Sequence, residues 1–563
     1  MTRIIFCLWL MLFLLPADSF AGDPPQTIAG YPVEEALRLG ERMYRQGLLP
    51  SGEAMEAIVQ KDIPVDGAMF TCESCHLRSG LGSVEGSVIT LPTNGADLYR
   101  DYPMGSEVIR PMRKEFAEQF QKDYLRPAYS DETLAAALLW GLDPAGRELD
   151  QVMPRYSLNE KDMEVMIYYL KHLSADFSPG VDETTIKFAT VITDEVPAET
   201  REAVMSFLDA YIRDKNVQSR HQEERAKEGV FYKLEFYTAY RRVELKKWEL
   251  HGEPATWGDQ LEEYYKKEPV FGFVGGISTR EWKPIHDFCE KHRIPCLFPL
   301  TDFPVISDTD WYTQYFSKGL YQEGETAARY LRGTADFKPV KVLQVFRDDV
   351  EGRYLANGFQ DTWKLLGQGE PANKMLQPQE ALGSDFWKQL VDEFHADIVL
   401  LWLKPSDLAA IDKLADTPGR PRMVFVSSSQ QDKALSALPE SMRDFIYITY
   451  PYDLPQDGAR KKLALQSWLK IKKLPLTDIV LQGKVFFLGR ALTGVLTYMR
   501  RDFYRERFME GVDMMIDQNY TIPVYPNLSF GPAQRYASKG CYVVQLTKGS
   551  DPQLEAKSNW INH

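Results

Sequence analysis

The stretch FGFVGGISTREWKPIHDFCEKHRIPCLFPLTDFPV, Phe271–Val305, sets the architecture of most of this chain. A short apolar run ends in a glycine pair. An amphipathic segment of helical length follows, and a second apolar run, IPCLFPLT (Ile294–Thr301), closes the unit. Short apolar runs separated by amphipathic segments read as parallel strands joined by crossover helices. The same alternation continues on both sides, in FATVIT (Phe188–Thr193), VKVLQVF (Val340–Phe346), ADIVLLWL (Ala396–Leu403), RMVFVSSS (Arg422–Ser429) and FIYITYPY (Phe445–Tyr452). With PVFGFVGG (Pro269–Gly276) these make seven strands, enough for two α/β lobes. Cys541, in KGCYVVQL, reads as a buried strand residue.

Open α/β sheets bind ligands at the carboxyl ends of their strands. The polar residues at those ends are therefore candidates: Ser278 and Thr279 after the glycine pair, then Thr301 and Asp302, Arg347, and Ser427. The competing reading makes them turn formers and helix caps. His286, His292 and His395 read as surface or capping residues. Cys289 and Cys296 can pair if their α-carbons approach within ~7 Å.

The 563 residues exceed one hydrophobic core, so two to four domains are expected. A net charge of -14 gives no basic footprint for nucleic acid or anionic lipid. No P-loop, HExxH or GxSxG pattern occurs. Arg3 and the apolar run Ile4–Leu15, followed by Pro16 and Ser19-Phe20-Ala21, read as a cleaved signal peptide over 1–21. Twelve residues at ~1.5 Å each do not cross a ~30 Å bilayer core, and no later stretch reads as a membrane anchor. The expected location is the periplasm.

Upstream of a Pro/Gly/acidic stretch (Asp176–Thr185) lies GAMFTCESCHLRSG, Gly67–Gly80. Three chemistries compete for Cys72-x-x-Cys75-His76: a redox dithiol, half of a zinc site, or covalent haem attachment. A dithiol needs a βαβ setting and zinc needs a second ligand pair, and the flanks supply neither. Haem attachment needs two thiols for the vinyl groups and a histidine for iron, all present. Further on, in DQVMPRYSLNEKDMEVMIYYLKHLSA (Asp150–Ala175), Met153 stands in a loop before Pro154. Met163 and Met166 recur at helical spacing with core residues, and Ser157 with Glu160 reads as a capping box. Met104 and Met112 are further thioethers without the Pro-x-Tyr setting.

These residues resemble the class I cytochrome c family. The matching pieces are a first helix (Val33–Gly47), the CxxCH, a loop (Arg78–Tyr99), a helix capped by Ser130 (Ser130–Leu149), and the MPxYxL loop before a last helix. The resemblance implies an all-α cytochrome domain over 30–178. It would hold one haem c, attached at Cys72 and Cys75, with His76 and Met153 as axial ligands. Such a centre carries single electrons and needs a redox partner protein. The second half resembles the type I periplasmic binding proteins, the branched-chain amino acid receptor group, on Phe271–Val305, Tyr315–Arg332 and Val342–Lys364. That implies a two-lobed α/β fold over 186–545, with lobe one about 186–335 and 453–545, lobe two about 336–452, a linker at 179–185 and a tail at 546–563. It also implies a small-molecule solute, with Ser278 and Thr279 placed to hold a ligand carboxylate. The expected function is an electron-carrying mono-haem cytochrome fused to a module that senses a solute or docks a redox partner, rather than a catalyst. The alternative is the receptor of an ABC-type importer with an accessory haem domain.

Overall fold

A computed structural model describes residues 27–85, 88–103, 125–228, 241–333, 340–383, 385–500, 502–517 and 523–563. The signal peptide, Met104 and Met112 lie outside the described residues. The chain forms two compact units, Met1–Asp176 and Phe177–His563.

In the first unit, helix α1 (Val33–Gln46) packs across α4 (Glu160–His172). Gly40 makes the crossing possible, because a β-carbon there would sit 2.4 Å from the β-carbon of Tyr169. Leu39, Met43, Met163, Met166 and Leu170 fill the core beside it, as helical spacing predicts for the two methionines. Helix α3 (Asp131–Trp140) is capped by Ser130, whose hydroxyl accepts from the Thr133 amide. It stops at Gly141, short of the Leu149 expected from sequence. Ser157 does not cap α4: Asn159 accepts from the Asp162 amide instead. Ser157 belongs to a strand end, its amide donating to Glu56. The unit is not all-α, because β1 (Glu56–Val59) pairs with both β2 (Ile63–Asp66) and β3 (Arg155–Tyr156).

The second unit has two lobes. Five parallel strands form the first sheet, β4 (Thr185–Thr193), β5 (Arg242–Leu250), β6 (Gly272–Val274), β7 (Cys296–Leu297) and β8 (Thr313–Gln314), in the order β5-β4-β6-β7-β8. The second sheet holds β9 (Val342–Arg347), β10 (Ala372–Leu376), β11 (Ile398–Trp402), β12 (Met423–Ser427) and β13 (Ile446–Tyr450) in the same pattern, β10-β9-β11-β12-β13. Antiparallel β14 (Gly540–Leu546), β15 (Leu554–Ala556) and β16 (Ile561–Asn562) complete it. Residues 546–563 are therefore part of lobe two's sheet rather than a tail. Strand β5 is not among the seven runs read from sequence, because its Lys and Glu residues mask the strand pattern.

The first crossing between lobes lies at 317–319, not near 335. Phe316 belongs to the core of lobe one, whereas Leu320 and Ala327 of helix α8 (Leu320–Gly333) pack with Leu400 and Phe425 of lobe two. Gly319, at φ +58°, turns against Asp302, whose carbonyl oxygen a β-carbon there would approach to 2.2 Å. The chain returns at 451–453 and crosses a third time near 537–540. Crossings one and three run side by side, with Ala537 and Ser538 amides donating to the Tyr315 and Phe316 carbonyls. The segment 179–185 is not a free linker, because Gly180 accepts from the Lys187 amide and Val181 bridges Ile186.

The helices of this unit used below are α5 (Ala198–Glu228), α6 (Trp257–Lys267), α7 (Lys283–His292), α8 (Leu320–Gly333), α9 (Val350–Leu365), α10 (Ser428–Gln431) and α11 (Ile479–Met499). Helix α11 is long and apolar enough to cross a membrane, which corrects the expectation that no such stretch follows the N-terminus. Its Val485, Leu488, Leu492 and Val495 are core residues of lobe one, packed with Phe207 and Leu208 of α5.

Candidate functional site

Helix α2 (Cys72–His76) is a single turn capped by the Thr71 hydroxyl, which accepts from the Ser74 amide. Positions i, i+3 and i+4 share one helical face, so Cys72, Cys75 and His76 project to the same side. The Tyr44 hydroxyl of α1 donates to the Leu77 carbonyl at 2.7 Å and holds the turn from behind. Nδ1 of His76 lies 2.8 Å from the Leu91 carbonyl oxygen. A carbonyl only accepts, so Nδ1 carries the proton and Nε2 keeps its lone pair. Burial lowers the imidazole pKa to about 4, partly opposed by that hydrogen bond, so the ring is neutral at neutral pH. Neutral, with one nitrogen tied to a carbonyl and the other free, is the state of a metal-ligating histidine.

The loop bearing Met153 is fastened to the same region. Arg155 donates to the carbonyls of Met153 (2.6 Å) and Leu149 (2.9 Å), and its guanidinium packs on Gly141. Tyr156, three residues beyond Met153, donates to the Phe70 carbonyl at 2.9 Å, and its hydroxyl lies 3.9 Å from Cys72 Sγ. The two motifs, far apart in sequence, thus meet through Tyr156. Large apolar side chains beside them face outward: Met69 is 78% exposed, Trp140 67% and Val152 45%. The Cys75 thiol is exposed, while burial pushes the Cys72 thiol up to about 11. Two thiols and a neutral imidazole with a free lone pair on one helical turn are donors of the kind that a covalently held haem uses.

In the second unit, the points where strand order reverses lie between β4 and β6 and between β9 and β11. Both are filled by the chain's own charges. After β4, one oxygen of Glu195 accepts from the Ser278 hydroxyl at 3.0 Å, the Thr279 amide at 3.1 Å and the Thr193 hydroxyl at 2.5 Å. Burial raises the Glu195 pKa, but these donors outweigh it and hold the carboxyl below its ordinary value. At the end of β9, Arg347 makes two bonds to Asp407, at 2.8 and 2.6 Å, and also donates to the carbonyls of Gln377, Pro378 and Glu380. Ser278, Thr279 and Arg347, candidates from sequence, are thus committed internally.

Ser427 belongs to another internal cluster. Glu323 of α8 is fully buried and accepts from the Ser428 amide (2.9 Å), the Ser429 amide (3.3 Å) and the Thr449 hydroxyl (2.8 Å). Burial raises its pKa to about 7 against the pull of these donors. A carboxyl raised from 4.5 takes up a proton on folding between those two values, so stability is lost as pH rises from 4.5 to about 7. The loss amounts to about 3 kcal/mol. Glu323→Gln is expected to remove that fall. Melting temperatures of variant and parent should converge below pH 5 and separate by pH 8, with the variant higher. Parallel curves across the range would contradict the assignment.

Thr301 and Asp302 alone of the six candidates line the cavity between the lobes, which opens to solvent. It lies where the crossings leave lobe one, walled by Tyr315, Phe316, Tyr452 and Tyr525, with Ser317, Gly319, Ser429 and Lys484. Lys484 was missed from sequence, although a lone lysine in the apolar run of α11 is a readable signal. His286 is buried rather than on the surface: Nδ1 meets the Tyr315 hydroxyl and Nε2 meets Asp310, each at 2.9 Å. His292 pairs with Glu262 of α6, and His395 takes the left-handed cap of a helix. Cys289 and Cys296 are buried free thiols whose side chains meet. Among the described residues, no group of three or more His, Cys, Asp or Glu side chains is placed to hold a metal ion.

Residues 240–471 match a family model described as periplasmic binding protein. No curated protein matches the chain. Similar solved structures include an ABC transporter substrate-binding protein from Sphaerobacter thermophilus, 14% identical, with 67% of this chain and 98% of that chain covered and a TM-score of 0.48. A periplasmic binding protein type 1 from Bordetella pertussis Tohama I is 11% identical, with 66% and 100% covered and a TM-score of 0.47. A branched-chain amino acid ABC transporter from Thermus thermophilus with bound valine is 13% identical, with 68% and 97% covered and a TM-score of 0.46. Residues 240–471 of the second unit are thus similar to periplasmic binding proteins. The match begins at 240 and does not reach the first unit.

Proposed function

We propose that this protein is a periplasmic solute-binding receptor whose first unit carries one haem c. The observation that carries the receptor reading is the polar cavity between the two α/β lobes, bordered by the crossing segments at 317–319 and 451–452. A solute held there touches both lobes and the hinge, so its binding is coupled to their closure. Titration calorimetry of the purified protein against a panel of small metabolites tests this, with saturable heat from at least one compound expected. A null result across the panel would favour the second unit as a docking surface for a redox partner.

The haem reading rests on the donor set. Cys72 and Cys75 would supply the thioether bonds, and His76 Nε2 and the Met153 sulfur the axial positions. A haem so ligated carries one electron at a time, and the thioether raises its potential. The chain's residues orient these donors: Leu91 fixes the imidazole tautomer, and Arg155 holds the loop of Met153. With both axial positions filled by protein, an electron carrier fits better than a catalyst. Met153→Ala is expected to abolish the weak near-infrared sulfur-to-iron band of the oxidised protein and lower its potential while leaving the haem attached. An unchanged band would remove Met153 from the site. A receptor feeding an ABC-type importer is a second reading, favoured by the match of residues 240–471.

A further inference from the structure

We infer that the cavity between the lobes takes a small planar organic anion, an aromatic carboxylate, bound through Lys484. This deepens the receptor reading above and rests on it. The first ground is what the usual crevices cannot do. At the reversal point of lobe one, Ser278 and Thr279 already donate to Glu195. At that of lobe two, Arg347 is spent on Asp407 and three carbonyls. A ligand carboxylate entering either place would have to displace a carboxylate tethered to the chain, whose effective concentration no free solute matches. The anion point must therefore lie elsewhere.

The second ground is the cavity itself. Its charged lining residues are Lys484 and Asp302. Lys484 projects from α11 across two tyrosine rings, its Nζ 5.7 Å from the centroid of Tyr452 and 5.8 Å from that of Tyr525. Among the described residues, no carboxylate oxygen forms an ion pair with it at 4.0 Å or less. An ammonium has three donors, and with the Tyr452 and Tyr525 rings beside it Lys484 keeps hydrogen-bonding capacity towards the cavity. The walls around it are flat. Phe316 and Tyr525 lie 6.1 Å apart at 27°, Tyr452 and Tyr525 5.9 Å apart at 36°, and Pro299 and Pro451 complete the lining. Such an aromatic wall favours a ring over a branched aliphatic chain, since ring pairs gain about 0.5–1.5 kcal/mol beyond buried area. Asp302 and the hydroxyls of Thr301, Ser317 and Ser429 are polar partners for a hydroxyl carried by that ring.

The experiment is titration calorimetry of full-length, haem-loaded protein with benzoate, 4-hydroxybenzoate and the neutral benzamide, alongside sugars and aliphatic amino acids. Benzoate and 4-hydroxybenzoate are expected to bind, and benzamide at least ~10-fold more weakly. Lys484→Gln and Lys484→Met, the latter keeping the packing of the stem, should each lose at least ~10-fold for the anions. Melting temperature and haem spectrum should stay near those of the parent. Ser278→Ala should bind as the parent does. Anion affinity unchanged in both lysine variants overturns the inference, as does failure of the parent to bind either anion. In that last case, heat from a sugar or aliphatic amino acid leaves the receptor reading standing, whereas silence across every compound removes both.

Discussion

Changing Arg347 to Met should destabilise the protein by about 3–5 kcal/mol, the cost of leaving a buried carboxylate without its partner. The side chain of Arg347 is 9% exposed and that of Asp407 8%, so little water reaches the pair. The variant strands Asp407 and also orphans the carbonyls of Gln377, Pro378 and Glu380, each of which accepts from the same guanidinium. Lys keeps the charge but not the planar fork, so Arg347→Lys is expected to fall between parent and Met. Urea unfolding of the full-length protein measures both. Solute binding by the folded variants should be unchanged, because Arg347 does not line the cavity. A variant of parental stability that had lost solute binding would return Arg347 to the ligand site.

Replacing Cys72 and Cys75 together with Ser should abolish covalent haem. In the proposed attachment each thiol would bond one vinyl group, so either single variant would retain one link and the double variant none. The pyridine haemochrome spectrum of protein made with the haem-attachment machinery reports the number of links. Haem staining after denaturing electrophoresis reports whether any haem stays with the chain. Parent protein that carries no haem under these conditions would discard the electron-carrier reading of the first unit without touching the lobes of the second. His76 is the informative companion, since its variant should keep both thioether bonds and lose an axial ligand.

The two halves of the chain differed in how much could be read in advance. The CxxCH motif was legible because its chemistry is local: one helical turn puts two thiols and an imidazole on one face, whatever the rest of the chain does. All seven strands read from sequence fall in the runs of apolar residues that parallel strands buried on both faces require, and two of them shorten, to Gly272–Val274 and Cys296–Leu297. Strand β5 escaped because it is the edge of its sheet, where Lys and Glu are tolerated on the open side. Strand β14 was legible as a strand, but its partner β13 and its lobe were not.

The solute site was the least legible part. Ser278, Thr279, Arg347 and Ser427 stand at strand ends, as ligand residues do, but so do residues that satisfy buried polar groups. The choice depends on partners far away in sequence, such as Asp407, 60 residues from Arg347, and Glu195, 84 residues from Thr279. Lys484 faces Asp302 only because α11 folds back onto lobe one after the second crossing.

Sequence alone determined the strand–helix alternation, the CxxCH motif and the division of the chain into two parts. All three follow from short-range rules: side-chain period, turn chemistry and spacing within a helical turn. Tertiary structure decided which polar groups are already satisfied, where the chain crosses between lobes and which cation is left facing the cavity. A buried donor finds its acceptor through space, and that pairing leaves no periodic trace along the chain.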